Sequence, residues 1–121
     1  MTKILVIEDE KILAEMYKDK LEKEGFEIIL AGDGEEGIKM MKEQRPSLAL
    51  LDLLMPNENG LELLKKQKED PEISSIPVIV FSNFDDGETK RLTLSLGAKS
   101  YLIKSNHDPK EIVEEIKKYL S

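Results

Sequence analysis

The sequence predicts one α/β domain over residues 1–121, a five-stranded parallel sheet doubly wound with five helices. Three observations predict it. Short apolar runs alternate five times with stretches at helical spacing, the pattern of strand–helix–strand crossovers. Leu48-Ala49-Leu50-Leu51 and Val78-Ile79-Val80-Phe81 are continuous rather than alternating, as strands buried on both faces are. A length of 121 residues with 40% apolar and 36% charged residues suits a single ordinary globular core.

The elements follow in order. Residues 4–8 read as the first strand, and residues 10–24 as a helix with Ile12, Leu13, Met16, Tyr17 and Leu21 at helical spacing. Gly25 ends that helix. Ile28-Ile29-Leu30 forms a second strand beside polar residues, which suits a sheet edge. Asp33 caps a helix over 34–44 with Ile38 and Met41 inward, and Arg45-Pro46 stops it before a strand at 48–52. After the loop Met55-Pro56-Asn57-Glu58-Asn59-Gly60, a helix over 61–69 carries Leu61 and Leu64 until Asp70-Pro71 breaks it. A strand over 78–82 precedes a helix over 86–96 that ends at Gly97, with Leu92 and Leu96 inward and Leu94 outward. Tyr101-Leu102-Ile103 is the last strand. Asp108-Pro109, an N-cap followed by proline, opens a final helix over 109–120 with Ile112, Val113, Ile116 and Leu120 inward. The crossovers are expected to be right-handed.

Bulk properties exclude several functions. The net charge of −7 argues against direct nucleic-acid binding by this domain, which would need a basic patch. Zero cysteines exclude disulfides and thiolate zinc sites. The opening apolar run is too short for a signal peptide or a membrane span, so a cytoplasmic domain without membrane insertion is expected.

The chemistry gathers at strand ends. Asp52 closes one buried apolar strand, Glu8-Asp9 follows another, and Ser82 ends a third. Ligands of open α/β sheets sit beyond the carboxyl ends of the strands, where strand order reverses. For the order 2-1-3-4-5 that point lies between the first and third strands, beside Glu8, Asp9 and Asp52. Any of these could serve as a cap or a loop partner alone; together they point to one site. Two unit charges 4 Å apart interact by about 4 kcal/mol at an effective dielectric near 20. A hard divalent cation relieves such repulsion, and an all-oxygen set with few protein ligands suits Mg²⁺. Lys104, after the last strand, can reach back over the crevice as a point charge, and Ser82 offers a hydroxyl there. Carboxylate, cation site, hydroxyl and ammonium make a phosphoryl-binding set in which a carboxylate nucleophile forms an aspartyl phosphate.

With these residues in place, the chain resembles the receiver domains of two-component response regulators, over all 121 residues. The likeness is carried by Glu8-Asp9, by Asp52 within Leu51-Asp52-Leu53-Leu54-Met55-Pro56, and by Gly60, Ser82, Gly97-Ala98, Tyr101 and Lys104. The order 2-1-3-4-5, flavodoxin-like, is that of the family's chemotaxis member, so it adds nothing independent to the resemblance. The resemblance implies that Asp52 accepts a phosphoryl group from a sensor histidine kinase or a phosphotransfer protein. Mg²⁺ would be held by Asp9, Asp52 and the backbone carbonyl of Leu54, with Glu8 acting mainly through a bound water. Ser82 and Lys104 would contact the phosphoryl oxygens, and Tyr101 would reorient as Ser82 moves inward. The domain would not be an enzyme for another substrate, although it would catalyse its own phosphorylation and dephosphorylation. Arg91, Leu94 and Tyr101 mark a candidate surface for a downstream partner or a homodimer, on the face formed by the fourth helix, fifth strand and fifth helix. The sequence ends just after the last helix, so no output domain is expected within it.

Four positions depart from the family pattern. Ser105 replaces the proline that usually follows the lysine. A cis bond before a non-proline residue costs about 3–4 kcal/mol, which favours a trans loop and a different placement of Lys104. Asn83 replaces a small residue after the hydroxyl and would narrow access to Asp52. Leu54 and Phe84, both apolar, offer no hydrogen bond to orient an attacking water, so a long-lived phosphorylated form is expected. The sole histidine, His107, reads as a solvated loop residue. Two other readings are disfavoured. A pseudo-receiver acting as a phosphorylation-independent binding module is disfavoured by the complete set of Glu8, Asp9, Asp52 and Lys104. A flavin-binding electron carrier would need a phosphate-cradling loop after the first strand, where Glu8-Asp9-Glu10 repels phosphate.

Overall fold

A computed structural model describes residues 2–53, 60–83, 86–104 and 108–120. In chain order the elements are β1 (Lys3–Ile7), α1 (Lys11–Glu22), β2 (Glu27–Ala31), α2 (Gly34–Gln44), β3 (Leu48–Asp52), α3 (Gly60–Glu69), β4 (Val78–Ser82), α4 (Gly87–Ser95), β5 (Ser100–Ile103) and α5 (Pro109–Lys118). The strands form one parallel sheet in the order β2-β1-β3-β4-β5. This is the doubly wound architecture the sequence predicts, with β2 at one edge.

Because side chains alternate across a strand, each central strand feeds two cores. Leu5, Ile7, Leu51, Val80 and Tyr101 pack on one face with Met41 of α2 and Leu63 and Leu64 of α3. Ile4, Val6, Leu50, Ile79, Phe81 and Leu102 pack on the other with Tyr17 and Leu21 of α1 and Ile112, Val113 and Ile116 of α5. Register then aligns the strand ends. Ile7 pairs with Leu51, Asp52 with Phe81, and Ser82 with Ile103.

The cap chemistry is local. Asp33 accepts a hydrogen bond from the Glu36 N–H at the start of α2. Asp108 and Glu111 form a reciprocal capping box at α5, with Pro109 beside it. Arg45 leaves α2 in the left-handed region at φ 46°, and Pro46 after it disfavours continuing the helix. Gly60 approaches the chain after Asp52 so closely that a Cβ there would lie 2.9 Å from the Leu53 Cα. Its N–H donates to the Leu53 carbonyl at 2.8 Å.

Two helix faces differ from the sequence reading. In α1 the inward arc is Leu13, Ala14, Tyr17 and Leu21. Met16 and Ile12 lie roughly 100° and 140° around from Tyr17, and Ile12 is 88% exposed. In α4 the buried residue is Thr93, whose hydroxyl donates to the Thr89 carbonyl at 2.6 Å. Leu92, expected inward, is 47% exposed, and Leu94 on the other flank is 38% exposed. Leu96 does pack partly against the core. The first strand also ends at Ile7 rather than Glu8, whose N–H still donates to the Ala31 carbonyl at 3.0 Å.

Candidate functional site

The C-terminal ends of β1, β3, β4 and β5 bring the expected residues to one edge. Glu8 follows β1, Asp52 closes β3, Ser82 closes β4 and Lys104 follows β5. Glu8 is 2% exposed and Asp52 6% exposed, Ser82 is fully buried, and Asp9 faces solvent. One carboxylate oxygen from each of Glu8, Asp9 and Asp52 lies within 4.8 Å of the others.

Lys104 holds this acidic cluster together. Its Nζ donates to Glu8 Oε1 at 2.9 Å and stands 3.3 Å from Asp52 Oδ2. Its position over the crevice is therefore reached with Ser105 as the following residue; the Lys104–Ser105 bond itself lies outside the described residues. The second Glu8 oxygen, Oε2, is buried without a hydrogen-bond partner among the described residues. An orphaned carboxylate oxygen beside two other carboxylates is a donor set for a hard cation, and it fits Mg²⁺.

Electrostatics follow from one ammonium facing three carboxylates. Burial pushes the Glu8 carboxyl above its ordinary value, the adjacent Asp52 carboxyl pushes it further, and Lys104 only partly offsets them. Asp9 is raised by its partial burial and then by Glu8. For Lys104, burial acts to lower the value, but the bond to Glu8 and the charge of Asp52 outweigh it and the ammonium is held more firmly. The site thus stores proton affinity that a cation would displace.

Two aromatic residues near the site escaped the sequence reading as site residues. Phe81, the residue before Ser82, places its ring centroid 4.7 Å from Lys104 Nζ. Tyr17 of α1 meets Phe81 at a centroid distance of 5.0 Å and an interplanar angle of 83°. The available signal was positional: Phe81 pairs in register with Asp52, so a large aromatic necessarily sits against the acidic crevice. Tyr101 is buried in the core on the opposite face of the sheet, and Asn83 is exposed. Arg91 and Leu94 are exposed on α4. Leu54, Phe84 and His107 lie outside the described residues.

A family model described as "Response regulator receiver domain" matches residues 4–117. The chain belongs to this family. Among curated relatives, this receiver domain is 32% identical to the alkaline phosphatase synthesis transcriptional regulatory protein PhoP of Bacillus subtilis, over 98% of this chain and 48% of that protein. It is 35% identical to the DNA-binding response regulator MtrA of Mycobacterium tuberculosis, over 95% of this chain and 49% of that protein. The chain spans about half the length of the curated relatives it matches. Among solved structures, a CheY-like response regulator receiver domain protein of Methanospirillum hungatei superposes with a TM-score of 0.90 at 28% identity, covering 99% of this chain and 94% of that one. The Vibrio cholerae chemotaxis protein CheY4 superposes with a TM-score of 0.92 at 23% identity, covering 99% of each chain, and likeness at that identity speaks for the fold alone. Among the described residues, no helix is long and apolar enough to cross a membrane.

Proposed function

We propose that this receiver domain is a phosphorylation-activated switch in which Asp52 is the phosphoryl acceptor. The observation that carries the reading is the crevice of Glu8, Asp9 and Asp52 bridged by Lys104 at the sheet's C-terminal edge. A carboxylate held beside an ammonium and a cation site is prepared to receive a phosphoryl group, because charge develops where positive groups already stand.

The donor is a phosphohistidine on a sensor kinase or a phosphotransfer protein. An Asp52 carboxylate oxygen attacks phosphorus, the P–O bond forms as the P–N bond breaks, and the electron pair returns to the imidazole nitrogen. Asp9 and Asp52 would hold Mg²⁺ through their side chains, with the Leu54 carbonyl as a further ligand and Glu8 acting through water. When bound, the cation neutralises charge on the phosphoryl oxygens. Lys104 releases its contact with Asp52 and pairs with a phosphoryl oxygen. Ser82 supplies a hydroxyl to another, and since it is fully buried, it must shift toward the crevice to do so. Tyr101 follows that shift, which alters the face of α4, β5 and α5 that carries Arg91 and Leu94 and binds a downstream partner or a second copy. Contacts made fully in only one state are what displace a two-state equilibrium. The domain acts catalytically only on its own phosphorylation and dephosphorylation, and the cytoplasm is its expected location.

The test is incubation with acetyl phosphate and Mg²⁺, followed by intact mass measurement. Wild type should gain one phosphoryl group and Asp52→Ala none. Failure of wild type to gain one with any donor would instead favour a phosphorylation-independent binding module.

A further inference from the structure

Among the described residues, Lys104 meets two carboxylates and an aromatic ring. Glu8 Oε1 lies at 2.9 Å and Asp52 Oδ2 at 3.3 Å, while on a third side Nζ stands 4.7 Å from the Phe81 ring centroid. An ammonium within about 6 Å of a ring centroid is attracted by the ring's negative face. The ring has little freedom to move. It is fully buried, its backbone is paired in register beside Asp52, and Tyr17 packs nearly perpendicular to it from α1.

We propose that Phe81 is a positioning residue for Lys104: its ring is the fixed surface on which the ammonium rests and pivots between Asp52 and an incoming phosphoryl group. The proposal deepens the phosphoryl-acceptor reading above and rests on it for the incoming group. A lysine stem is long and flexible, so something must define where the charge sits. Glu8 fixes one direction. The ion pair with Asp52 is lost when that carboxylate becomes an acyl phosphate, which leaves only a neutral carbonyl oxygen, so it cannot be the charged anchor in both states. A carbonyl in place of the ring would hold the ammonium at one point. A ring face attracts it over a broad area, so the charge can shift toward a phosphoryl oxygen while keeping this contact. Tyr17 acts one step further out, holding the ring that holds the lysine.

The experiment replaces Phe81 in the full chain with singly, doubly and triply fluorinated phenylalanine, which keep the ring's shape while weakening its negative face. The rate of adduct formation from acetyl phosphate should fall stepwise along the series, reaching about three- to tenfold, with the unfolding temperature unchanged. Phe81→Leu should slow the wild type by a similar factor yet add nothing in a Lys104→Ala background, since a group acting through another is silent once that other is gone. A purely packing role would leave the fluorinated series flat, and a flat series overturns the proposal. A second readout needs no phosphoryl transfer: in the resting protein the Lys104 ε-methylene protons should resonate upfield, shielded by the ring. Resonance at the position of solvated lysines overturns the proposal whatever the rates. Should wild type form no adduct while the Lys104 signal is shifted upfield, the acceptor reading fails and the placement of Lys104 by Phe81 stands.

Discussion

At Glu8, a nearly inaccessible carboxyl has one oxygen on Lys104 and the other without a partner among the described residues. Its pKa is raised, chiefly by burial and then by Asp52, with Lys104 offsetting part of the rise. The folded value lies above the unfolded one. The corresponding stability is therefore fully present at low pH and is lost as pH rises through the raised value. Glu8→Gln removes that titration while keeping the shape. As pH rises above the ordinary carboxyl range and through that raised value, wild type in chelator should lose stability relative to Glu8→Gln. Thermal unfolding of both proteins across that range measures it, and parallel curves would contradict it. In the proposed phosphorylated state, Leu54 is expected to govern the lifetime. Leu54 can offer no hydrogen bond to an attacking water, so Leu54→Asn should speed dephosphorylation on the order of three- to tenfold. Loss of the adduct followed by mass measurement decides this, and an unchanged or slower rate would refute it. The acidic and basic site residues were legible in the sequence because a charge at the end of an apolar strand is anomalous. Phe81 was not, because an aromatic ring in a buried strand looks like core until its neighbour across the sheet is known.

For whole elements, what could be read from the sequence depended on whether the signal was local. The caps at Asp33 and Asp108 are local, involving a side chain and an N–H three residues on, and both form. The inward faces of α1 and α4 are set by the sheet beneath them. Counting apolar residues put Ile12, Met16 and Leu92 inside, yet a threonine, satisfied by the carbonyl one turn back, occupies the buried position of α4. The start of α3 shows how an element end can shape the site. Gly60 lies against the backbone immediately after Asp52, and a methyl group there would meet the Leu53 Cα at 2.9 Å. Backbone cannot yield as a flexible side chain can, so Gly60→Ala should cost about 1–3 kcal/mol. Gly32→Ala is the control, since a Cβ there has only the Glu36 carboxylate at 3.8 Å and no positive φ to oppose it. Removing a glycine's backbone freedom at such a place is neutral or slightly stabilising, by up to about 1 kcal/mol. Urea unfolding of the two variants tests the contrast. Equal effects would mean that the close approach at Gly60 relaxes at little cost.

On the scale of the whole molecule, the site exists only when the sheet is assembled. Glu8 and Lys104 are 96 positions apart in sequence, and their contact requires β1, β3, β4 and β5 to be in register. An unfolded chain cannot gather three carboxylates and one ammonium this way, so a cation that binds here binds the native state alone. Binding of that kind stabilises by mass action, about 2.7 kcal/mol when the free ligand is a hundred times its dissociation constant. Mg²⁺ should therefore raise the unfolding temperature of wild type progressively with concentration, without saturating until the site is full. Asp52→Asn should abolish most of that rise, because it removes a ligand and relieves the repulsion that the cation would offset. The same substitution should make the metal-free protein slightly more stable if the repulsion of Asp52 by Glu8 and Asp9 that it removes outweighs the lost attraction to Lys104. Gly32→Ala, whose added Cβ meets the Glu36 carboxylate and none of the crevice carboxylates within 4 Å, should keep the full response to Mg²⁺. Calorimetric scans with and without the ion separate these cases. A response to Mg²⁺ of equal size in wild type and Asp52→Asn would place the cation elsewhere on an acidic surface, and the crevice would then need another explanation for its unpaired carboxylate oxygen.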